Sequence, residues 1–314
     1  MSQFSIKLYH TEHKALWDNF VKASDIDSFL FYRDFMEYHK NRFEDFSLMI
    51  FEDEELVAIL PANKVESSLY SHQGLTYGGL ITKINTKNKI QELFRVLKAF
   101  LKTEGLEVII IKEVPSIYCR SYNSTLSDFI NIHFKTYHQN EVLAVNYSKP
   151  LQIHKTKLKH YRKSDQFDFE IREETNFEPF WKQILEPLLL EKFNSKPVHT
   201  LDEITLLNKL FPKNIKQFSV YGNDKILAGI TIFETDTVVK SQYGAINEEG
   251  KKIRALDFLF LQLIEKFKLE GKQFFSMGTV TNLDLPDGYN KGLMKQKLEL
   301  GCDIFKQNYF KLEL

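Results

Sequence analysis

Residues 217–278 decide the fold: Phe218-Ser-Val-Tyr221, Gly222-Asn-Asp-Lys225, Ile226-Leu-Ala-Gly-Ile-Thr-Ile-Phe233, then Thr237-Val-Val-Lys-Ser-Gln-Tyr243 ending at Gly244-Ala245. The apolar runs are rich in β-branched and aromatic residues, and the tetrapeptide between the first two carries a hairpin signature. A polar, basic loop follows, Asn247-Glu-Glu-Gly-Lys-Lys-Ile253. After it Leu256, Leu259, Phe260, Leu263 and Phe267 fall on one helical stripe. Gly271 ends that helix, and Gln273-Phe-Phe-Ser-Met277 resumes extended chain. The order reads strand, tight turn, strand, strand, loop, long helix, strand.

The same plan occurs earlier in the chain. Ser47-Leu-Met-Ile-Phe51 and Leu56-Val-Ala-Ile-Leu60 flank a turn, and Ser71-His-Gln-Gly74 takes the place that Ser241-Gln-Tyr-Gly244 takes later. A helix carrying Ile90, Leu93, Phe94, Leu97 and Phe100 leads to Gly105 and the strand Val108-Ile-Ile-Ile111. Ala228 follows Ala58 by 170 residues, Gly244 follows Gly74 by 170, and Gly271 follows Gly105 by 166. Features in one order at nearly constant offset predict a duplicated α/β domain with mixed sheets.

Composition narrows the function classes. A chain of 314 residues suits two domains, each able to bury a core. The 42 basic and 42 acidic residues cancel, which argues against a protein that coats a polyanion. Cys119 and Cys302 lie far apart and in no paired-ligand spacing, so neither a disulfide framework nor a zinc site is expected. The nine His show no Ser-His-Asp or metal spacing, and no metal is expected. No apolar run approaches the ~20 residues of a membrane helix, and the N-terminus lacks a basic region followed by an apolar block. The expected location is the cytoplasm.

Outside the repeated units, a strand is expected near Phe4, a helix from Thr11, and a second helix over residues 29–40 with Arg33 and His39 on its solvent face. Residues 71–79 hold Gly74, Gly78 and Gly79 with His72; they either free backbone amides for a ligand or form a sharp bend in the sheet. Pro150 marks the expected domain boundary, giving domains 1–149 and 150–314. Residues 152–164 form a basic helical segment with Lys155, Lys157, Lys159, Arg162 and Lys163. It reads either as a solvated face or as a docking site for a phosphate-bearing ligand or a tRNA backbone. Pro187 is expected to kink the helix over residues 177–193. A tail without counterpart in the first half ends in a short helix carrying Lys291, Lys295 and Lys297.

At this tail the chain resembles the FemAB-like branch of the GNAT acyltransferase superfamily, whose members carry two tandem GNAT-type domains. The family signature runs glycine-leucine, two variable residues, phenylalanine-lysine, then phenylalanine-glycine. Here Gly292-Leu293-Met-Lys-Gln296-Lys297-Leu-Glu-Leu300-Gly301 keeps the glycines, the leucine and the lysine, with Gln296 and Leu300 in place of the aromatics. Ser276-Met277-Gly278-Thr279 stands where the family has aspartate, phenylalanine, glycine and serine or threonine. Of the GNAT pyrophosphate loop, the segment from Asn247 to Lys252 keeps Gly250 alone.

The resemblance implies acyl transfer to an amine. The donor is an acyl-CoA thioester or an aminoacyl-tRNA ester, and the acceptor is a cell-envelope precursor, small or nucleotide-linked, or an amino sugar. Attack on the acyl carbonyl develops an oxyanion, for which Lys297 is the candidate cation. The amine must lose a proton, with Tyr243, Asp284, Asp287 and His72 as candidate acceptors. His72, Gly74, Tyr77, Tyr289 and Asn290 are the candidate substrate-binding residues. Gly250, Lys251, Lys252 and Arg254 are the candidate donor-binding residues. Two further readings stay open: a non-catalytic pair of degenerate domains that holds an envelope precursor, and a tRNA-dependent peptidyltransferase, which the neutral net charge disfavours.

Overall fold

The computed structural model describes residues 3–314. By its packing the chain divides into two units, Met1–Asn140 with Lys306–Leu314, and Glu141–Phe305. Each is described by itself.

In unit 1, β1 (Phe4–Leu8) pairs antiparallel with β2 (Leu48–Glu52), which pairs through a tight turn with β3 (Glu55–Leu60). The turn places Asp53 at φ 56°, in the left-handed region. After a short hairpin ending in β4 (Ser68–Tyr70), the chain loops and re-enters the sheet as β5 (Ile81–Thr82), antiparallel to β3. The helix α1 (Lys87–Thr103) then buries Ile90, Leu93, Phe94, Leu97 and Leu101, the stripe that a 3.6-residue period predicts. Gly105 ends it at φ 72° with open space around its Cβ position, so the glycine serves the backbone and not packing. β6 (Val108–Lys112) then lies parallel to β4. α2 (Ser124–His133) leads to β7 (Lys135–Asn146), within which the first division between the units falls.

In unit 2, α3 (Lys155–Arg162) precedes β8 (Phe169–Glu174), which pairs antiparallel with β9 (Ile215–Gly222). β9 turns through Asn223 and Asp224, both at positive φ, into β10 (Lys225–Glu234), which pairs antiparallel with β11 (Val238–Ile246). A short α4 (Glu248–Ile253) and the long α5 (Ala255–Leu269) follow. β12 (Phe274–Thr279) lies between β11, parallel, and β7, antiparallel. α5 buries Leu259, Leu263, Ile264 and Phe267 against Val220, Ala228, Ile230 and Phe275 of the sheet. α6 (Lys291–Glu299) and β13 (Cys302–Glu313) close the chain. The last residues of β13 pair with β6 in unit 1, Tyr309 opposite Lys112.

The two units share details finer than element order. Both hairpins slip register at the same place, between Ile50 and Phe51 in one and between Val220 and Tyr221 in the other, positions 170 apart. Ala58 opposes Thr82 as Ala228 opposes Ile246. β4 lies against β6 as Val238–Lys240 of β11 lies against β12. The chain is a tandem duplication of one α/β plan with mixed sheets.

One correspondence is corrected. Residues 71–74 begin where 241–244 begin, but they do not continue the strand. The third strand of unit 1 breaks after Tyr70 and resumes at Ile81, so that Thr82 and Ile246 are 164 apart where Ser68 and Val238 are 170 apart. The extra residues form the glycine-containing loop. The physical reason lies in Ser71, whose amide bonds the Ile110 carbonyl at 2.8 Å while its Oγ accepts the Lys112 amide at 2.7 Å. The hydroxyl stands in for the next backbone partner and lets the chain leave the sheet.

Two further expectations change. Arg33 and His39 are buried, at 2% and 4% exposure. The Arg33 guanidinium pairs with Glu37 and Asp45, donates to Ser47 Oγ at 3.2 Å, and stacks 3.7 Å from the Tyr9 ring centre. At Pro187, where a kink is expected, the turn Trp181–Leu185 just before it widens to a π-helix and the helix continues to Phe193. That wider turn absorbs the hydrogen bond that proline lacks and relieves its ring against the preceding carbonyl. Among the described residues no helix is long and apolar enough to cross a membrane.

Candidate functional site

β11 and β12 run together for only a few residues: Val238 opposes Phe274, Val239 opposes Phe275 and Lys240 opposes Ser276. Each strand then bulges away from the other. β11 slips register against β10 between Ser241 and Tyr243, and β12 slips against β7 between Ser276 and Gly278. Bulges bend a strand and raise its twist, so facing bulges split a sheet. Residues 241–244 and 277–279 are the segments of the two strands that no longer pair with each other. Gly278 sits at φ 68°, a conformation that β-branched side chains resist, and the Lys240 side chain lies against it.

Lys297 reaches this place from α6. Its side chain is 6% exposed, and Nζ donates to the Thr279 carbonyl at 2.9 Å and to the Gly278 carbonyl at 3.4 Å. Burial without a carboxylate partner pulls its pKa down to about 8. Lys295 instead lines a separate surface groove of about 470 Å³ with Gln152, His154, Tyr289, Lys291 and Met294. The neighbouring lysines thus face different surroundings, as residues two apart on a helix must.

Tyr243 lies on the β11 side. Its phenol is 2.6 Å from His199 Nδ1, accepts the His199 backbone amide at 3.2 Å, and its ring meets Trp181 edge-on. Burial pushes the phenol up to about 12, so it is protonated at neutral pH. His199 is buried and lies outside any motif; the sequence analysis did not single it out. Its only sequence signal is its place just ahead of the helix Leu201–Leu210, whose capping box Thr200–Glu203 fixes the preceding turn.

The remaining candidates are scattered. Asp284 is exposed on the loop before α6, Asp287 pairs with Lys291 at 2.7 Å, and Asn290 caps α6 through the Leu293 amide. Gly250 lies inside α4, where a Cβ would stand 2.6 Å from the Leu227 carbonyl, and its amide bonds Asn247 Oδ1. It therefore packs α4 on β10. Lys251 pairs with Glu248, Lys252 is exposed, and Arg254 stands in the left-handed region between α4 and α5, 3.8 Å from Asp257. In unit 1, Tyr77 is 2% exposed with its hydroxyl on Ser28 Oγ, and Gly74 is packed so closely that a Cβ would overlap the His39 ring. His72 is buried at φ 61° and lines a cavity of about 190 Å³ with Tyr70, Gln73, Lys112 and Tyr309. Among the described residues no group of three or more His, Cys, Asp or Glu side chains is placed to hold a metal ion.

Burial, followed by the neighbouring His39, lowers the His72 pKa to about 3. The unfolded chain binds this proton below pH 6.5 and the folded chain refuses it down to about pH 3, so stability falls as pH drops through that window. We expect about 2 kcal/mol to be lost by pH 5 from this group. Denaturant melts at pH 7 and pH 5 should show the loss, and His72→Asn, which tolerates the positive φ, should reduce it.

No family model and no curated protein matches the sequence. Solved structures do match in shape. FemX superposes with a TM-score of 0.70 at 12% identity, covering 99% of this chain and 97% of its own. The fold is thus matched along the whole chain. This is a FemAB-like tandem GNAT fold. L-PGS from Bacillus licheniformis shares the fold at a TM-score of 0.60 and 11% identity, over 98% of this chain and 93% of its own. A tandem GNAT protein from the clavulanic acid biosynthesis pathway gives 0.51 at 7% identity, over 100% and 98%. Identities this low carry the fold alone.

Proposed function

We propose that the chain is an N-acyltransferase that passes an acyl or aminoacyl group to an amine of a cell-envelope precursor or amino sugar in the cytoplasm. The observation that carries this reading is the split between β11 and β12 with the unpaired, buried ammonium of Lys297 at its edge. A split sheet leaves strand amides free to bond an extended donor, and a desolvated cation without a carboxylate is suited to a developing negative charge.

The donor carbonyl lies in the gap with its oxygen toward Lys297. The amine nitrogen attacks the carbonyl carbon, a C–N bond forms, and the bond to the leaving sulfur or oxygen breaks. Tyr243 takes the proton lost by the amine while passing its own to His199 Nδ1, and the same relay run in reverse returns a proton to the leaving sulfur or oxygen, which departs as thiol or hydroxyl. Lys251, Lys252 and Arg254 flank the start of α5 and attract donor phosphates. Asp284, Tyr289 and Asn290, on and beside the loop before α6, meet the acceptor. The donor is acyl-CoA or aminoacyl-tRNA. The exposed Lys155 and Lys159 of α3 favour a phosphate-rich donor of either kind.

The test is a matrix of acyl-CoA and aminoacyl-tRNA donors against nucleotide-linked and free amino sugars. Release of thiol or deacylated tRNA is measured, and the acceptor is weighed by mass spectrometry. We expect one donor class to give an acceptor heavier by the acyl group. Complete absence of transfer across the matrix, with the protein folded, refutes the reading.

A further inference from the structure

Unit 1 retains the counterpart of the split, with a different lining. β4 leaves β6 after Tyr70, and the strand resumes as β5 on the far side of the gap, paired to β3 and not to β6. Residues 78–82 form one wall and Ile111, Glu113 and Val114 the other, while Leu126, Ile130 and Phe310 close the space. The result is a cavity of about 100 Å³.

Its charged residues have one sign. Asp25 and Glu113 line it, and among the described residues no Lys, Arg or His does. The nearby Arg120 is held by Asp27 at 3.1 Å. Glu113 Oε2 accepts from the Asn308 backbone amide at 3.2 Å and from its side chain at 2.9 Å, which fixes the carboxyl in place. Burial first, then Glu113 and Asp25, push the adjacent Cys119 thiol up to about 11.

We propose that this cavity binds a small apolar ammonium compound, its hydrocarbon part in the gap between β5 and β6 and its cationic head at Asp25 and Glu113. An apolar pocket with a few convergent polar groups is the usual form of a small-molecule site, and here those groups select the head. An anionic head such as a carboxylate or a CoA phosphate would meet two carboxylates and no cation. A neutral chain would gain the apolar burial but no charge pairing with Asp25 or Glu113. The site belongs to unit 1 alone and does not depend on the transfer chemistry proposed for unit 2.

The full chain is titrated by calorimetry with n-hexylammonium, hexan-1-ol and hexanoate, which share a chain and differ in the head. Hexylammonium is expected to bind in the millimolar range, hexanol about tenfold more weakly, and hexanoate not at all. The pair Asp25→Asn and Glu113→Gln should bring hexylammonium to the level of hexanol. Leu126→Trp, which fills the cavity, should abolish both. The Ile111 and Ile130 methyl resonances of the unaltered chain should shift on titration, which locates the ligand without any variant. Hexanoate binding as tightly as hexylammonium, no binding of hexylammonium, or binding that leaves those methyls unmoved overturns the proposal. No donor is present, so none of these results bears on the transferase reading.

Discussion

Lys297→Ala is expected to lower turnover by roughly 10²–10³-fold on whichever donor and acceptor the screen identifies, the scale seen when an oxyanion donor is removed. Lys295→Ala, which alters the groove on the other face of α6, should change turnover far less. Because the ammonium is the working form and its pKa lies near 8, activity should decline as pH rises through about 8. If Lys297 acted as a base instead, activity would rise over that range, and the pH profile separates the two roles. Stability should move the other way. The folded chain holds this lysine at about 8 against 10.5 when unfolded, so below pH 8 its burial costs on the order of 3 kcal/mol before its two hydrogen bonds are counted. Lys297→Met should therefore be as stable as the parent or more so, by up to about 2 kcal/mol. A variant that loses activity by unfolding, or a fall in turnover matched by Lys295→Ala, would remove Lys297 from the site.

Asp257→Asn is the substitution expected to cost the most stability. Lys157 Nζ lies 2.8 Å from both Asp257 oxygens, with the side chains 9% and 13% exposed, and Glu299 stands 3.9 Å away. These contacts tie α3 to α5 and α6. Removing one carboxylate leaves a buried ammonium poorly compensated, at a cost of about 3 kcal/mol. The double substitution Lys157→Met with Asp257→Leu replaces the pair by apolar volume and should recover most of that loss. Denaturant midpoints of Lys157→Met, Asp257→Leu and the double variant close the cycle. Equal losses in Asp257→Asn and the double variant would mean that packing, and not the uncompensated charge, sets the cost.

Lys157 also illustrates what the sequence left open. The segment 152–164 read as a uniformly basic helix, either solvated or docking, because charge counts do not tell which lysine turns inward. Its partner Asp257 is 100 residues away, and Arg33 likewise stacks on Tyr9 and pairs with Asp45 across elements. The Tyr243–His199 pair is of the same kind: neither residue lies in a motif, and a loop brings them to 2.6 Å. Gly74 and Gly78 drew attention as possible ligand contacts, yet a Cβ at either position would collide with the His39 ring or the Ser71 carbonyl.

The sequence by itself determined the elements and their repetition. Periods of 2 and 3.6, turn residues at positive φ, and stop glycines act over a few residues, and the matching register slips of the two hairpins lie within the span of a single turn. The tail signature, also local, was enough to place Lys297 in α6. Only the tertiary structure decided that β11 and β12 part after Lys240, that Lys297 bonds the carbonyls at that point, and that the third strand of unit 1 breaks around a loop. Those outcomes depend on which strand competes for each backbone amide and on which charges share a desolvated space. Such competition is settled between residues far apart in the chain, where no local pattern records it.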